Sequence, residues 1–418
     1  MDQSGAARSM ISEMESAFQS GVESGQIPGA VVMAKDLTGK IDYVRCFGAR
    51  SVRPEEHGKL PPMEVDTIMR MGQATALVGV VVALQCVDRG LVSLDESVER
   101  LLPDLTSMEV LVGFDSEGKP IMRKRNGIIT LRHMLTDTSG LSHVPINPLL
   151  RELVARGYSE YPLPIGGESD IPNPLLAPPV GDPGVQWIHG TNIDWAGKLV
   201  ERATGMDLET YMQRNVCEPL GITDMTFKLQ QRPDLIARRA DLTKHGREDG
   251  TLHYDDTVFF RKDPDECYGG CGLFASPASY MKVIHSLLKR DGVLLKPETV
   301  DRIFQPALDA QMEREMNEHF NKVIKLINYG YPLPQWPTLR RNFGLGAVVI
   351  MEDLDGDNWR RKGSLSINNG WNTGVQIDPA AGLCTLVAFQ TQPYSDPIEE
   401  ALVHKFERAM YSQLKTSA

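Results

Sequence analysis

Apolar positions Met10, Ile11, Met14, Phe18 and Val22 recur at helical spacing near the start of the chain, which predicts an amphipathic helix over about 10–24 stopped by Gly25 and Pro28. The next runs, "GAVVMAKD" and "KIDYVRCFGA", are rich in alternating and β-branched residues and predict two strands joined by a turn at "LTGK". Residues 74–89 are apolar nearly all round, as in a buried helix, and Gly90 supplies its stop. Ser93-Leu-Asp-Glu96 has the form of a capping box and predicts a further helix start. From 131 to 239 helical runs alternate with Pro/Gly-rich connections. The longest, "EYPLPIGGESDIPNPLLAPPVGDPG", predicts the edge of a binding cleft rather than core. Strand patterns return in "FGLGAVVIM", "NTGVQIDP" and "GLCTLVAFQ", and the helix "PIEEALVHKFERAMYSQL" follows. Together these predict an α/β (α+β) fold: one sheet built from both chain ends, flanked by helices and interrupted by a helical lobe. The expected division is 1–68 with 275–418 for the sheet and 69–274 for the lobe, the cleft lying between them.

The charge balance narrows the partners. A formal net charge of −11 over 418 residues argues against nucleic acid or an anionic membrane surface. No apolar run approaches the roughly 18–20 residues that cross a bilayer, and the N-terminus has no basic region followed by an apolar one. Six scattered cysteines are cytosolic usage, so the expected location is the cytoplasm. Cys267 and Cys271 are close in sequence but have no second Cys/His pair nearby, and HExxH, Walker and GxGxxG signatures are absent. Neither a metal nor a cofactor is expected.

Longer runs carry more specific information: "ESGQIPGAVVMAKD", "ALQCVDRGLVSLDESVERLLPDL", "ITLRHMLTDTSGLSHV", "DWAGKLVERATGMDLETYM", "EPLGITDMTFKLQQRPD" and "FGLGAVVIMEDLDGDNWRRKGSL". Over nearly its whole length the chain resembles the serine β-lactamase and penicillin-binding-protein fold. More closely, it resembles the fungal acyltransferases of that fold that load a short side chain onto a statin-type polyketide alcohol. The resemblance implies a β-lactamase/transpeptidase-like architecture, a polyketide-like ligand and no cofactor. It also implies three active-site elements: Ser-x-x-Lys opening the buried helix, a tyrosine that shares the serine's proton, and a Lys-Thr-Gly or glycine-rich segment lining the oxyanion pocket.

At the matching positions this chain has Gln73-Ala74-Thr75-Ala76, His189, and Asn368-Asn369-Gly370. A glutamine amide is not a useful nucleophile, and alanine holds no proton. Thr75 points to another helix face. The sequence therefore leads to an expectation of catalysis without a covalent acyl intermediate: a cyclisation (pericyclic included), dehydration or isomerisation of an apolar, polyketide-like molecule. His189 would be acid, base or donor, with Gln73, Asn368 and Asn369 as polarising donors. Arg70, His143, Trp187, Cys271, Gly370 and Trp371 would line the substrate. The plainer readings are a histidine filling the tyrosine's space, an asparagine turn and core tryptophans. Asp137 reads as a solvated face or lobe contact. Two other functions stay open: a pseudoenzyme that binds a pathway intermediate or partners a synthase or carrier protein, and an acyltransferase or esterase using Cys271 or water activated by His189.

Overall fold

A computed structural model describes residues 3–54, 58–158, 175, 177–246, 251–255, 266–327, 339–368, 372–392 and 396–415. Its centre is a seven-stranded sheet of β1 (Gly29–Asp36), β2 (Asp42–Gly48), β3 (Arg341–Phe343), β4 (Val348–Ile350), β5 (Leu365–Asn368), β6 (Gly374–Asp378) and β7 (Leu383–Ala388). The spatial order is β3-β4-β5-β6-β7-β1-β2, with every neighbouring pair antiparallel. The two ends of the chain meet one strand in from the β2 edge, where Val31 lies opposite Ala388 and Asp36 opposite Leu383.

Strand alternation sorts the apolar side chains onto two faces. Ala30, Val32 and Ala34 pack with Leu383 and Val387 against α1 (Gln3–Glu23) and the C-terminal helix Pro397–Lys415, through Met14, Phe18, Phe406 and Met410. Val31, Met33, Cys384, Leu386 and Ala388 join the opposite core with α2 (Thr75–Asp88) and the helix Pro277–Lys289. Covered on both sides, β7 is buried at every position. The first face also contains a buried ion pair. Arg360 donates through Nε and Nη2 to the two carboxylate oxygens of Glu407, at 2.8 Å each, and Trp359 Nε1 donates to the same group at 2.6 Å.

Three local expectations are corrected. "FGLGAVVIM" forms the hairpin β3–β4 rather than one strand. Gly346 takes φ +83° there, and a Cβ on Gly344 would lie 2.3 Å from the Ile303 carbonyl oxygen. Ser93–Glu96 does not open a helix: Ser93 Oγ accepts from Asp95 N at 3.3 Å, and Arg132 holds the Asp95 carboxylate at 2.6 and 2.9 Å. The lobe between the sheet's halves is not wholly helical either, since Val110–Phe114 and Pro120–Arg123 form an antiparallel ribbon. Among the described residues no helix is long and apolar enough to cross a membrane.

Candidate active site

A tight turn, Gly72–Ala74, leads into α2 and lies against β5. Gln73 is exposed at this mouth, Ala76 is half-buried and Thr75 is buried. The Thr75 hydroxyl oxygen accepts from Leu273 N at 3.2 Å, and Tyr280 Oη donates to the Ala74 carbonyl at 2.7 Å. These bonds fix the turn's backbone and occupy the threonine. Asn368 ends β5 opposite Gly374; Asn369, Gly370 and Trp371 lie outside the described residues.

The loop preceding α3 (Asn192–Thr204) carries His189. Its Nδ1 lies 2.9 Å from Asp137 Oδ2, with the two side chains 28% and 4% exposed. Asp137 adopts φ +57°, a left-handed conformation uncommon for a non-glycine residue and often found where structure serves function. The other carboxylate oxygen is also held. Asn192 Nδ2 donates to Asp137 Oδ1 at 2.7 Å, and Asn192 Oδ1 in turn accepts from the Ser139 hydroxyl. Because Asn192 must present its amide hydrogens to Asp137, the carboxylate is left to accept from His189 Nδ1–H. That sets the tautomer, with Nε2 as the free base. Burial lowers the imidazole's affinity for a proton, but the hydrogen bond and charge of Asp137 outweigh it and raise the pKa above the ordinary value.

An aromatic wall surrounds the dyad. Trp187 lies nearly parallel to His189, with ring centroids 6.1 Å apart, and is buried among Met312, Met316 and Phe343. His319 of the helix Ala310–Ile327 sits 6.2 Å from His189. On another side the His143 ring stands edge-on to His189, centroids 5.3 Å apart at 68°. Burial, with the charge of His189, pushes His143 down to about 3, so it stays neutral. Behind these groups is a second buried acid. Asp194 Oδ1 accepts from Gly270 N at 2.7 Å, and burial raises this carboxyl to about 6.

The remaining expected residues are placed as follows. Burial and neighbouring Arg239 push Arg70 down to about 10. Its guanidinium lies 5.4 Å from the Phe274 ring centre, and the Gln390 side-chain oxygen accepts from its backbone N–H at 3.0 Å. Cys271 is partly exposed, but burial and then Asp194 push its thiol well up, only partly opposed by Arg70. A thiol held protonated is a poor nucleophile. Asp137 is no solvated face: it is buried and bonded to His189. Nothing in local spacing joins residues 52 positions apart; the usable hint was a carboxylate in "TDTSG", within a buried run. Asn192 and His319 were equally unmarked. Among the described residues no group of three His, Cys, Asp or Glu side chains is placed to hold a metal ion.

Comparison with known proteins bears on what such a site does. The chain is 58% identical over 409 residues to the ML-236A carboxylate methylbutanoyltransferase of Penicillium citrinum, covering 98% of this chain and 96% of the relative. It is also 58% identical to the monacolin J acid methylbutanoyltransferase of Aspergillus terreus, over 98% and 97% of the two chains. The unliganded simvastatin synthase of Aspergillus terreus superposes with a TM-score of 0.88 at 56% identity, covering 97% of this chain and 98% of that one. These findings overturn the expectation of a cyclase, isomerase or lyase, and that of a pseudoenzyme: relatives sharing almost the entire chain are acyltransferases. The physical source of the error is plain. Gln73 and Ala76 bear on a serine nucleophile, not on acyl transfer as such, and the buried Asp137 bonded to His189 was out of sight. The family model described as Beta-lactamase matches residues 14–407, and this chain belongs to that family.

Proposed function

We propose that the protein transfers a short acyl group, of the methylbutanoyl kind, from a thioester donor to the hydroxyl of a polyketide acid resembling monacolin J or ML-236A carboxylate, with the Asp137–His189 pair in place of a Ser-x-x-Lys nucleophile. The observation that carries this reading is the bond from His189 Nδ1 to Asp137 Oδ2, with the second oxygen committed to Asn192. His189 Nε2 takes the acceptor's hydroxyl proton as its oxygen bonds to the thioester carbonyl carbon. Asp137 stabilises the imidazolium so formed. The carbonyl π electrons move onto oxygen, where the exposed Gln73 side chain, at the N-terminal mouth of α2, supplies an amide donor. Collapse breaks the C–S bond, and the leaving thiolate takes the proton back from His189. Atoms and charge balance with no bond to the protein.

Two features of the chain favour this route over a thiol route: burial holds the Cys271 thiol protonated, and His189 already has its carboxylate partner at 2.9 Å. The test combines a short branched acyl thioester with monacolin J acid, following product by chromatography and the protein by intact mass. Ester formation with initial-rate patterns of a ternary complex, no acylated protein and abolition by His189→Phe support the proposal. A stoichiometric acyl adduct sinks the direct route, and absence of ester sinks acyl transfer itself.

A further inference from the structure

We propose that His143 is a second catalytic residue of this centre, a neutral imidazole whose N–H donates to the acyl carbonyl oxygen as it becomes an oxyanion. The inference rests on the acyl-transfer reading and deepens it.

The geometry begins with the backbone. Segments 137–147 and 187–192 are zipped together. Ser142 Oγ donates to the His189 carbonyl at 3.2 Å, and Ile188 N donates to the Asp137 carbonyl at 2.7 Å. Between them Gly190 lets the chains touch: a Cβ there would lie 2.3 Å from Leu141 O and 2.4 Å from Ser142 Cα, both backbone atoms that cannot swing aside. The His143 carbonyl accepts from Asn147 N at 3.0 Å, and the Asn147 side chain caps the helix Pro148–Ala155 by accepting from Leu149 N and Leu150 N. The imidazole is thus carried on a loop braced at both ends, not on a free lip.

That bracing sets the His143 ring edge-on to the base, 5.3 Å between centroids. Two imidazoles at this separation can bracket one tetrahedral carbon, each reaching a different oxygen through a hydrogen bond of about 2.8 Å. The two rings are driven apart electrically. Asp137 favours the charged form of His189, whereas burial and the His189 charge keep His143 neutral. When His189 takes the acceptor's proton, a second cation beside it is disfavoured, so what His143 offers is an uncharged N–H. A neutral imidazole of this kind can polarise a carbonyl, and removing one oxyanion donor from a preorganised site typically costs about 10²–10³ in kcat.

The test compares His143→Phe with His143→Gln under the thioester assay. Phe keeps the ring's bulk without a donor, and Gln restores an N–H. The expected result is a loss of kcat of about 10²-fold for Phe with KM little changed, partly recovered by Gln. If Phe does not fold, as judged by circular dichroism, His143→Met replaces it. A Phe or Met variant with undiminished kcat, or one changed only in KM, overturns the inference, because packing alone would then account for the residue. His189→Phe, run alongside, separates the failures. Lost transfer in His189→Phe with full kcat in His143→Phe removes only the oxyanion role; a wild-type protein without transfer removes both proposals.

Discussion

Replacing Asp137 by asparagine is the most searching perturbation of the dyad, because it preserves shape and inverts hydrogen-bond polarity. In the wild-type chain Ser139 donates to Asn192 Oδ1, Asn192 Nδ2 donates to Asp137 Oδ1 at 2.7 Å, and His189 Nδ1–H donates to Asp137 Oδ2 at 2.9 Å. An asparagine at 137 has one accepting atom for these two donors. If its oxygen stays with Asn192, its NH₂ faces His189 Nδ1, and the ring must place its proton on Nε2, where a base is needed. If the amide turns over, two NH₂ groups collide at Asn192. Loss of the charge acts in the same direction. A charge-assisted hydrogen bond is worth about 1.5–3 kcal/mol, and without it burial would lower the His189 pKa, opposed only by the charge of Asp194. Asp137→Asn should reduce kcat/KM by about 10²- to 10⁴-fold. The acid limb of the residual pH profile should move to lower pH, with KM for the acceptor little affected. The assay is initial-rate thioester transfer from pH 5 to 9. An unchanged limb with undiminished kcat would refute the assignment of His189 as base.

Other expectations follow from the same structure. Because the His189 pKa is raised in the folded protein, its link to Asp137 contributes stability that is fully present below about pH 6.5 and is lost as pH rises through the folded value. The Tm difference between wild type and His189→Gln should therefore be larger at pH 5.5 than at pH 8.5. For Asp194 the sign is the same but the window lies lower: burial raises this carboxyl to about 6, so ionisation weakens the fold as pH climbs from about 4 to about 6. Asp194→Asn should flatten that part of the Tm–pH curve, and an unaltered curve would show that the carboxyl is not the titrating group. Gly190→Ala forces a Cβ into backbone at 2.3 Å and should cost about 1–3 kcal/mol in chemical denaturation. Glu407→Ala removes the carboxylate from buried Arg360, whose side chain is only 3% exposed, at a cost of about 3–5 kcal/mol, while leaving Arg360→Met/Glu407→Leu much less destabilised.

Much of the fold was legible because its signals are local. "GAVVMAKD" is β1 residue for residue, and the continuous apolar run after residue 74 is α2, buried as its all-round hydrophobicity requires. "FGLGAVVIM" failed where two glycines permitted a reversal that alternation alone does not reveal. Ser93–Glu96 failed because Asp95 is held by Arg132, a residue 37 positions away. The site divides along the same line. His189 stood out as a change of residue type at a position the resemblance made meaningful. The role proposed for it depends on Asp137 and Asn192, whose contribution exists only once two loops are pressed together at Gly190. Chemistry distributed over separate segments leaves no period in a sequence.

The meeting of β1 with β7 also governs when the protein can begin to work. Val31 finds Ala388 only after more than three hundred intervening residues have emerged from the ribosome, and the pairing that joins the N-terminal hairpin to the rest of the sheet cannot close sooner. Until then the outer edge of β1 in the β1–β2 hairpin stays unpaired, and α2 lacks the apolar floor that Leu386 and Ala388 complete. Pairings this distant in sequence make folding slow and prolong the exposure of sticky intermediates. The nascent chain thus carries an unpaired apolar strand edge through most of its synthesis.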